Sequence, residues 1–355
     1  MHVVVAGWLL GPHSGANRRL LGLLGAAHEW LADDERITVL HGPDFAPPAD
    51  LRRIDWRAVA IPAGPTVRRA LVEQHTLRRL LPELSASVYD HGFLPPPRVG
   101  PPLCLTIHDV RHADGYGRWP RLLARSVLRK ALRRTAGVIA VSDWTASRLR
   151  ELVPGCEPIV VPNGVDERAP GEPPADVPEN GYVLHVGHLE PRKNLAVVVR
   201  ALACIEAQRR PELWLVGHDA GEWPRLRALA RRLGVHEHVR HLGVLPDERL
   251  PACYAAARLV VMPSRYEGFG MPVLEARVQG TRVAVADAGA LPEVVGDGAL
   301  LPADDVAAWA EVIADEHRDG PELVELRAAT AAAHGWSVAS CQWLDALRQL
   351  NSSRS

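Results

Sequence analysis

Two short segments carry residue types that could do chemistry. In residues 264–276, SRYEGFGMPVLEA, the carboxylates Glu267 and Glu275 flank the glycines Gly268 and Gly270. An apolar run, RLVVMP (258–263), precedes them. A helical pattern follows from about Met271, with Pro272 suited to a first helical turn. Gly268 and Gly270 let the backbone pass close to a ligand. The amides of Phe269, Gly270, Met271 and Val273 would then point out of a helix N-terminus, a natural anion site. Glu267 and Glu275 could accept hydrogen bonds from sugar hydroxyls. The alternative is an ordinary Gly-rich turn with two solvated glutamates.

The second segment is HVGHLEPRKNL (185–195). A strand ends at Gly187, and Arg192 and Lys193 stand at the start of a helix. Cations there oppose the helix macrodipole, and an anionic ligand would relieve the conflict. A guanidinium fork beside an ammonium point charge suits a diphosphate. The alternative is a solvated basic turn.

These residues need a scaffold to bring them together. Apolar β-type runs alternate with helical patterns: HVVVA (2–6), ITVL (37–40), LCLTI (103–107), GVIAV (137–141), PIVVP (158–162), YVLHVG (182–187), LWLVG (213–217), RLVVMP (258–263) and TRVAVA (281–286). Continuous Val/Ile/Leu runs between helices indicate buried parallel strands covered on both faces. After Asn194 the stripe Leu195, Val198, Val199, Leu202 and Ile205 predicts a helix. The Pro-, Gly- and acid-rich stretch 166–181 has no periodicity and reads as an interdomain connection. The predicted organisation is α/β: an N-terminal domain over 1–168, a linker over 169–180, a second domain over 181–334 and a C-terminal helix over 335–355. The helix, outside the second repeat pattern, is expected to return to the first domain. Two such doubly wound domains would present their carboxyl strand ends across a cleft.

Composition narrows the function classes. The chain has 355 residues, enough for two domains, with 47% hydrophobic and 23% charged residues. A formal net charge of −1 argues against nucleic-acid binding by bulk electrostatics. The five cysteines form no CxxC pair, so neither a zinc knuckle nor a disulfide framework is indicated, and a reducing cytoplasm fits. The N-terminal MHVVVAG lacks the features of a signal peptide, and no apolar run is long enough to span a bilayer.

In combination, GHLEPRKNL followed about seventy residues later by EGFGMPVLEA closely resembles the retaining family-four glycosyltransferases, and within them the mannosyltransferase-like branch. VSDWTASRL (141–149), VPNGVD (161–166), DAGALPEVVGDGALLPADD (287–305) and LTIHDVRH (105–112) extend the resemblance over most of the chain, most weakly over 30–100. The resemblance implies a GT-B fold, two Rossmann-like domains facing a central cleft, and sugar transfer from a nucleotide-diphosphate donor without a cofactor. It implies that Arg192 and Lys193 neutralise the donor diphosphate, that Glu275 binds the ribose, and that Glu267 contacts the transferred sugar. It places His108 near the reaction centre and Gly15 in a Gly-rich first loop near donor phosphate. Here Ser14-Gly15-Ala16-Asn17-Arg18 departs from the GGIGR-like form, which puts Arg18 in question. Asp109 has two readings, orienting His108 or binding the acceptor.

GDP-mannose is the leading donor, with UDP- and dTDP-sugars open. The acceptor is a sugar, a lipid-linked sugar or a small molecule. No DxD triplet occurs, so a metal clamp is not indicated. A non-catalytic nucleotide-sugar-binding subunit and a phosphorylase of the same architecture are the rival readings. HEHVRH (236–241) is not HExxH, and His236, His238 and His241 are read as flanking and occupying a short strand. Residues 118–134, RWPRLLARSVLRKALRR, carry Arg118, Arg121, Arg125 and Arg129 at helical spacing, with Lys130, Arg133 and Arg134 nearby. They form either a solvated face or a peripheral contact with anionic lipid at the inner face of the membrane. Leu122, Leu123, Val127, Leu128 and Leu132 are expected to pack inward.

Overall fold

In the computed structural model, residues 1–10, 15–62, 64, 66–117, 120–166, 168–179, 181–315 and 321–352 are described. The chain divides into two compact units, Met1–Gly164 with His334–Ser355, and Val165–Ala333.

The first unit holds β1 (His2–Gly7), β2 (Arg36–His41), β3 (Ile54–Ala58), β4 (Val88–His91), β5 (Leu103–Ile107), β6 (Gly137–Ala140) and β7 (Ile159–Val160). They form one parallel sheet in the order β3-β2-β1-β4-β5-β6-β7. The second unit holds β8 (Tyr182–Val186), β9 (Glu212–Val216), β10 (Val239–Gly243), β11 (Leu259–Met262), β12 (Val283–Ala286) and β13 (Ala299–Leu301). Its parallel order is β10-β9-β8-β11-β12-β13. The central strands β1, β8 and β11 are buried at every position. Strands covered by helices on both faces are near-continuous apolar runs of this kind.

Each sheet reverses its strand order once, between β1 and β4 and between β8 and β11. Helices leave opposite faces there, and the carboxyl strand ends open a crevice. The segments 187–194 and 263–270 leave β8 and β11, the two strands that flank the reversal in the second unit. The topology therefore brings together residues more than seventy positions apart.

The helix Trp336–Ser352 packs on the helix Gly15–Ala27 within the first unit. A Cβ on Gly22 would lie 2.3 Å from the Trp336 ring, so only glycine admits that indole. Ser340 Oγ donates to Leu23 O at 3.0 Å, and the fully buried Trp343 donates Nε1 to Asp90 Oδ2 at 3.0 Å. In the second unit, Asp176 pairs with Arg240 at 2.6 Å and Arg168 O accepts from Gln279 Nε2 at 2.8 Å.

The basic helix spans Arg121–Leu132, and Arg118 lies outside the described residues. Leu128 and Leu132 are buried and Val127 is half-buried, but Leu122 is 81% exposed and Leu123 55% exposed. The expectation that all five pack inward fails for these two. The inward stripe runs through Ala124, Leu128, Ala131 and Leu132. Arg121 and Arg125 Nε both donate to Ala113 O, and Arg129 Nε to Leu152 O, which fixes the helix in that rotation.

On the helix Thr66–Glu83, Glu73 is buried beside His91 and Arg69. Its Oε1 lies 3.5 Å from His91 Nε2 and its Oε2 3.8 Å from Arg69 Nε. Neither carboxylate oxygen has a hydrogen-bond partner among the described residues. Burial, partly countered by Arg69, pushes the Glu73 carboxyl up to about 7. Burial and then Arg69 push His91 down to about 3, so its imidazole is neutral. The folded state thus holds a proton on Glu73 that the unfolded chain releases near 4.5. The stability this contributes is complete below about pH 4.5 and is lost as pH rises through about 7. Glu73→Gln, which fixes the protonated charge state, should remove this loss. Urea denaturation of both proteins at pH 5 and pH 8 should show their stability difference shifting toward the variant by on the order of 3 kcal/mol. An equal pH response in both would show that Glu73 titrates normally.

Candidate functional site

β8 ends at Val186, and the next residue, Gly187, has a φ of +150° that only glycine adopts without strain. The chain then enters a 3-10 turn, Pro191–Lys193, and Asn194 in the left-handed region starts the helix Leu195–Cys204. Arg192 and Lys193 therefore lie ahead of the helix, not in its first turn as the sequence suggested. Their charges are matched by carboxylates. Arg192 donates to Glu190 Oε1 at 2.5 Å, Glu267 Oε2 at 3.1 Å and Tyr266 O at 2.9 Å. Lys193 Nζ donates to Glu267 Oε1 at 2.5 Å. Arg265 N donates to Arg192 O at 2.9 Å, which ties the turn to the loop after β11.

Glu267 is buried, with both oxygens engaged by the two cations. Burial alone would raise its carboxyl, but Lys193 and then Arg192 outweigh it and hold the group at about 2. It is thus not the solvated glutamate of the alternative reading. The loop is fixed from behind: Ala290 N donates to Glu267 O at 3.0 Å. Gly289, at φ +61°, comes so close that a Cβ would sit 2.5 Å from Glu267 O.

Gly268, Phe269 and Gly270 are buried, and Gly270 at φ +106° starts the helix Met271–Val278. Val273 N donates to Gly270 O at 2.9 Å, so that amide is used within the turn, contrary to the expectation that it serves a ligand. Met271 and Glu275 are half-buried. Tyr254 OH donates to Glu275 Oε2 at 2.6 Å and fixes the carboxylate's direction. Arg192, Lys193, Glu267, Gly268, Phe269, Gly270, Met271, Val273 and Glu275 thus share the second unit, on two segments leaving neighbouring strands.

Within the first unit, His108 follows β5 and is half-buried. Burial and then Arg19 push its imidazole down to about 3, so it is neutral. It lines a cavity of about 40 Å³ with Asn17, Arg19, Asp90, Phe93 and Thr106. Arg19 NH1 donates to Pro162 O and Asn163 Oδ1, and its NH2 has no partner among the described residues. Gly15 opens the helix Gly15–Ala27, and the preceding Ser14 lies outside the described residues. Asp109 turns to Arg111, accepting from its amide at 3.0 Å. His236 and His238 form a 3-10 turn, and His241 Nε2 meets Gly217 O at 2.9 Å.

Sequence reasoning missed Tyr254, Gly289, Arg19 and His185. Tyr254 stands in a helix with no motif of its own. Gly289 could have been flagged as a glycine between two alanines before a helix start. His185 was within the quoted segment, but nothing in the sequence tells that it faces Lys193.

Residues 13–169 match the Glycosyltransferase Family 4 domain family and residues 172–332 the family Glycosyl transferases group 1. O-antigen chain mannosyltransferase B of Escherichia coli is 34% identical over 219 residues. That stretch covers 60% of this chain and 58% of the relative, less than two thirds of its length. Among solved structures, sucrose-phosphate synthase from Thermosynechococcus elongatus superposes with a TM-score of 0.76 at 19% identity, covering 99% of both chains. HepE of Anabaena in complex with UDP gives 0.70 at 20% identity, covering 99% of this chain and 100% of that one. At such identities the two structures speak for the fold. The paired domain matches, the two reversed parallel sheets and these neighbours together show that the chain belongs to the family-four glycosyltransferases of GT-B fold.

Proposed function

We propose that the protein transfers a sugar from a nucleoside-diphosphate donor to a hydroxyl acceptor, with retention of configuration and without a metal ion. The observation that carries this reading is the buried pairing of Arg192 and Lys193 with Glu267. Breaking the donor's glycosidic bond puts negative charge on the departing diphosphate. Two cations already largely withdrawn from water stabilise that charge once they exchange Glu267 for the diphosphate. Glu275, aimed by Tyr254, is assigned to the ribose, and Glu267 to the transferred sugar once the cations turn to the diphosphate. From the first unit, His108 is assigned to the reaction as a neutral imidazole able to donate or accept a hydrogen bond, with Gly15 at the donor phosphates.

GDP-mannose is the donor favoured by the likeness to a mannosyltransferase. A UDP-sugar is the alternative, favoured by the neighbour solved with UDP. The acceptor is a sugar, a lipid-linked sugar or a small molecule. Intact Arg192, Lys193, Glu267 and Glu275 speak against a non-catalytic subunit that merely kept the fold. Slow hydrolysis of GDP-mannose or UDP-glucose by the purified protein separates the enzyme from that rival.

We further infer that the enzyme works in the cytoplasm against the inner membrane face, through the basic helix. The exposed pair Leu122 and Leu123, in the same segment as the exposed Lys130, Arg133 and Arg134, supports this. No helix among the described residues is long and apolar enough to cross a membrane.

The two glutamates should separate by ligand. Glu275→Gln should weaken both nucleoside diphosphate and intact donor about tenfold or more, the worth of a charged hydrogen bond. Glu267→Gln frees two cations, so nucleoside diphosphate should bind as well or better, while turnover falls more than tenfold. Calorimetry with GDP and UDP decides. Equal loss of nucleotide affinity in both variants would refute this division of roles.

For the surface, cosedimentation with phosphatidylglycerol/phosphatidylcholine vesicles should fall at least fivefold in Leu122→Ser/Leu123→Ser, and also when salt is raised to about 0.5 M. Unchanged binding in the double variant would rule out the leucine pair as the contact.

A further inference from the structure

His185 sits near the carboxyl end of β8 and is fully buried. Its Nδ1 lies 3.0 Å from Val261 O. A carbonyl can only accept, so Nδ1 carries the proton and Nε2 presents a bare lone pair. Burial first, and then Lys193, push the imidazole down to about 4, which keeps it neutral. Nε2 has no hydrogen-bond partner among the described residues. A buried acceptor left unmatched is costly, and each one calls for an explanation.

The nearest explanation stands across Gly187. A Cβ on that glycine would lie 3.4 Å from His185 Nε2 and 3.5 Å from Lys193 Nζ. The two nitrogens therefore border the same small space, which the missing side chain leaves open. The Lys193 ammonium has three protons to donate. Glu267 Oε1 takes one of them.

We propose that His185 is a positioning residue for Lys193, its bare Nε2 serving as a second seat for the ammonium when a diphosphate draws it off Glu267. The chemistry of the seat suits that task. A neutral acceptor satisfies a buried N–H without adding negative charge that would repel the incoming phosphates. A carboxylate there would match the lysine but oppose the ligand. The inference rests on the reading that Lys193 meets the donor diphosphate.

Asparagine and glutamine separate the two nitrogens. His185→Asn can keep the bond to Val261 but has nothing at Nε2. His185→Gln places an amide oxygen where Nε2 was and gives up the bond to Val261. Titration calorimetry with GDP and UDP should show affinity falling about tenfold in His185→Asn and less than threefold in His185→Gln. A purely structural histidine predicts the reverse order, and that result, or wild-type affinity in His185→Asn, overturns the proposal. Lys193→Met is the control for the underlying reading. If it leaves affinity unchanged, both fall; if it weakens binding while His185→Asn does not, only the role of His185 falls. A measurement on the wild type avoids any folding defect. With ¹⁵N-histidine label, the His185 Nε2 resonance should move toward a hydrogen-bonded value on adding the same nucleoside diphosphate. A resonance that stays put at saturation contradicts the second seat.

Discussion

One carboxylate, Glu267, holds two cations, Arg192 and Lys193, in a site nearly closed to water, and the rest of the second unit is arranged around that contact. A buried ion pair contributes little net stability, because desolvating the charges offsets their attraction. Removing one partner is a different matter, since it strands the others unpaired. The arrangement therefore tolerates exchange of one anion for another better than loss of an anion. Folding has already stripped water from the guanidinium and the ammonium. A ligand anion that replaces Glu267 meets cations that folding has already largely desolvated, and that is what makes the site suited to a departing diphosphate.

The scaffold explains why the contact can form. Arg192 and Glu267 are far apart in sequence, yet β8 and β11 are hydrogen-bonded neighbours and both segments leave at their carboxyl ends. Glycines then set the distances. Gly187 keeps the space beside Lys193 open, and Gly289 lets a second loop support Glu267 from behind. Any side chain at Gly289 would strike the Glu267 backbone and displace the carboxylate from both cations.

How much of this was legible in the sequence depended on burial and length. The strands β8, β9, β11 and β12 are mostly apolar runs and stood out. The short β4 did not, because VYDH buries Asp90 and His91, whose partners come from distant elements such as Trp343. The edge strand β3, IDWRA, exposes its polar residues and resembles a loop. At the site, the residue types and their motif context were readable, but the bonding was not. Nothing local shows that Arg192 and Lys193 answer to Glu267 before any ligand, or that the Val273 amide is spent within its turn. In the basic helix, periodicity permitted more than one inward stripe. Leu122 and Leu123 lie outside because the stripe Ala124, Leu128, Ala131 and Leu132 is the one buried, and the Ala113 and Leu152 carbonyls accept from arginines of the same helix.

The central claim is that the two cations change partner, from Glu267 to a diphosphate. A crystal structure with GDP or UDP bound tests it most directly. An exchange of partners predicts diphosphate oxygens within about 3.2 Å of Arg192 and Lys193 nitrogens. It also predicts that at least one of the bonds to Glu267, now 2.5 Å and 3.1 Å, is broken. A bound diphosphate that leaves both bonds intact and touches neither cation would contradict it.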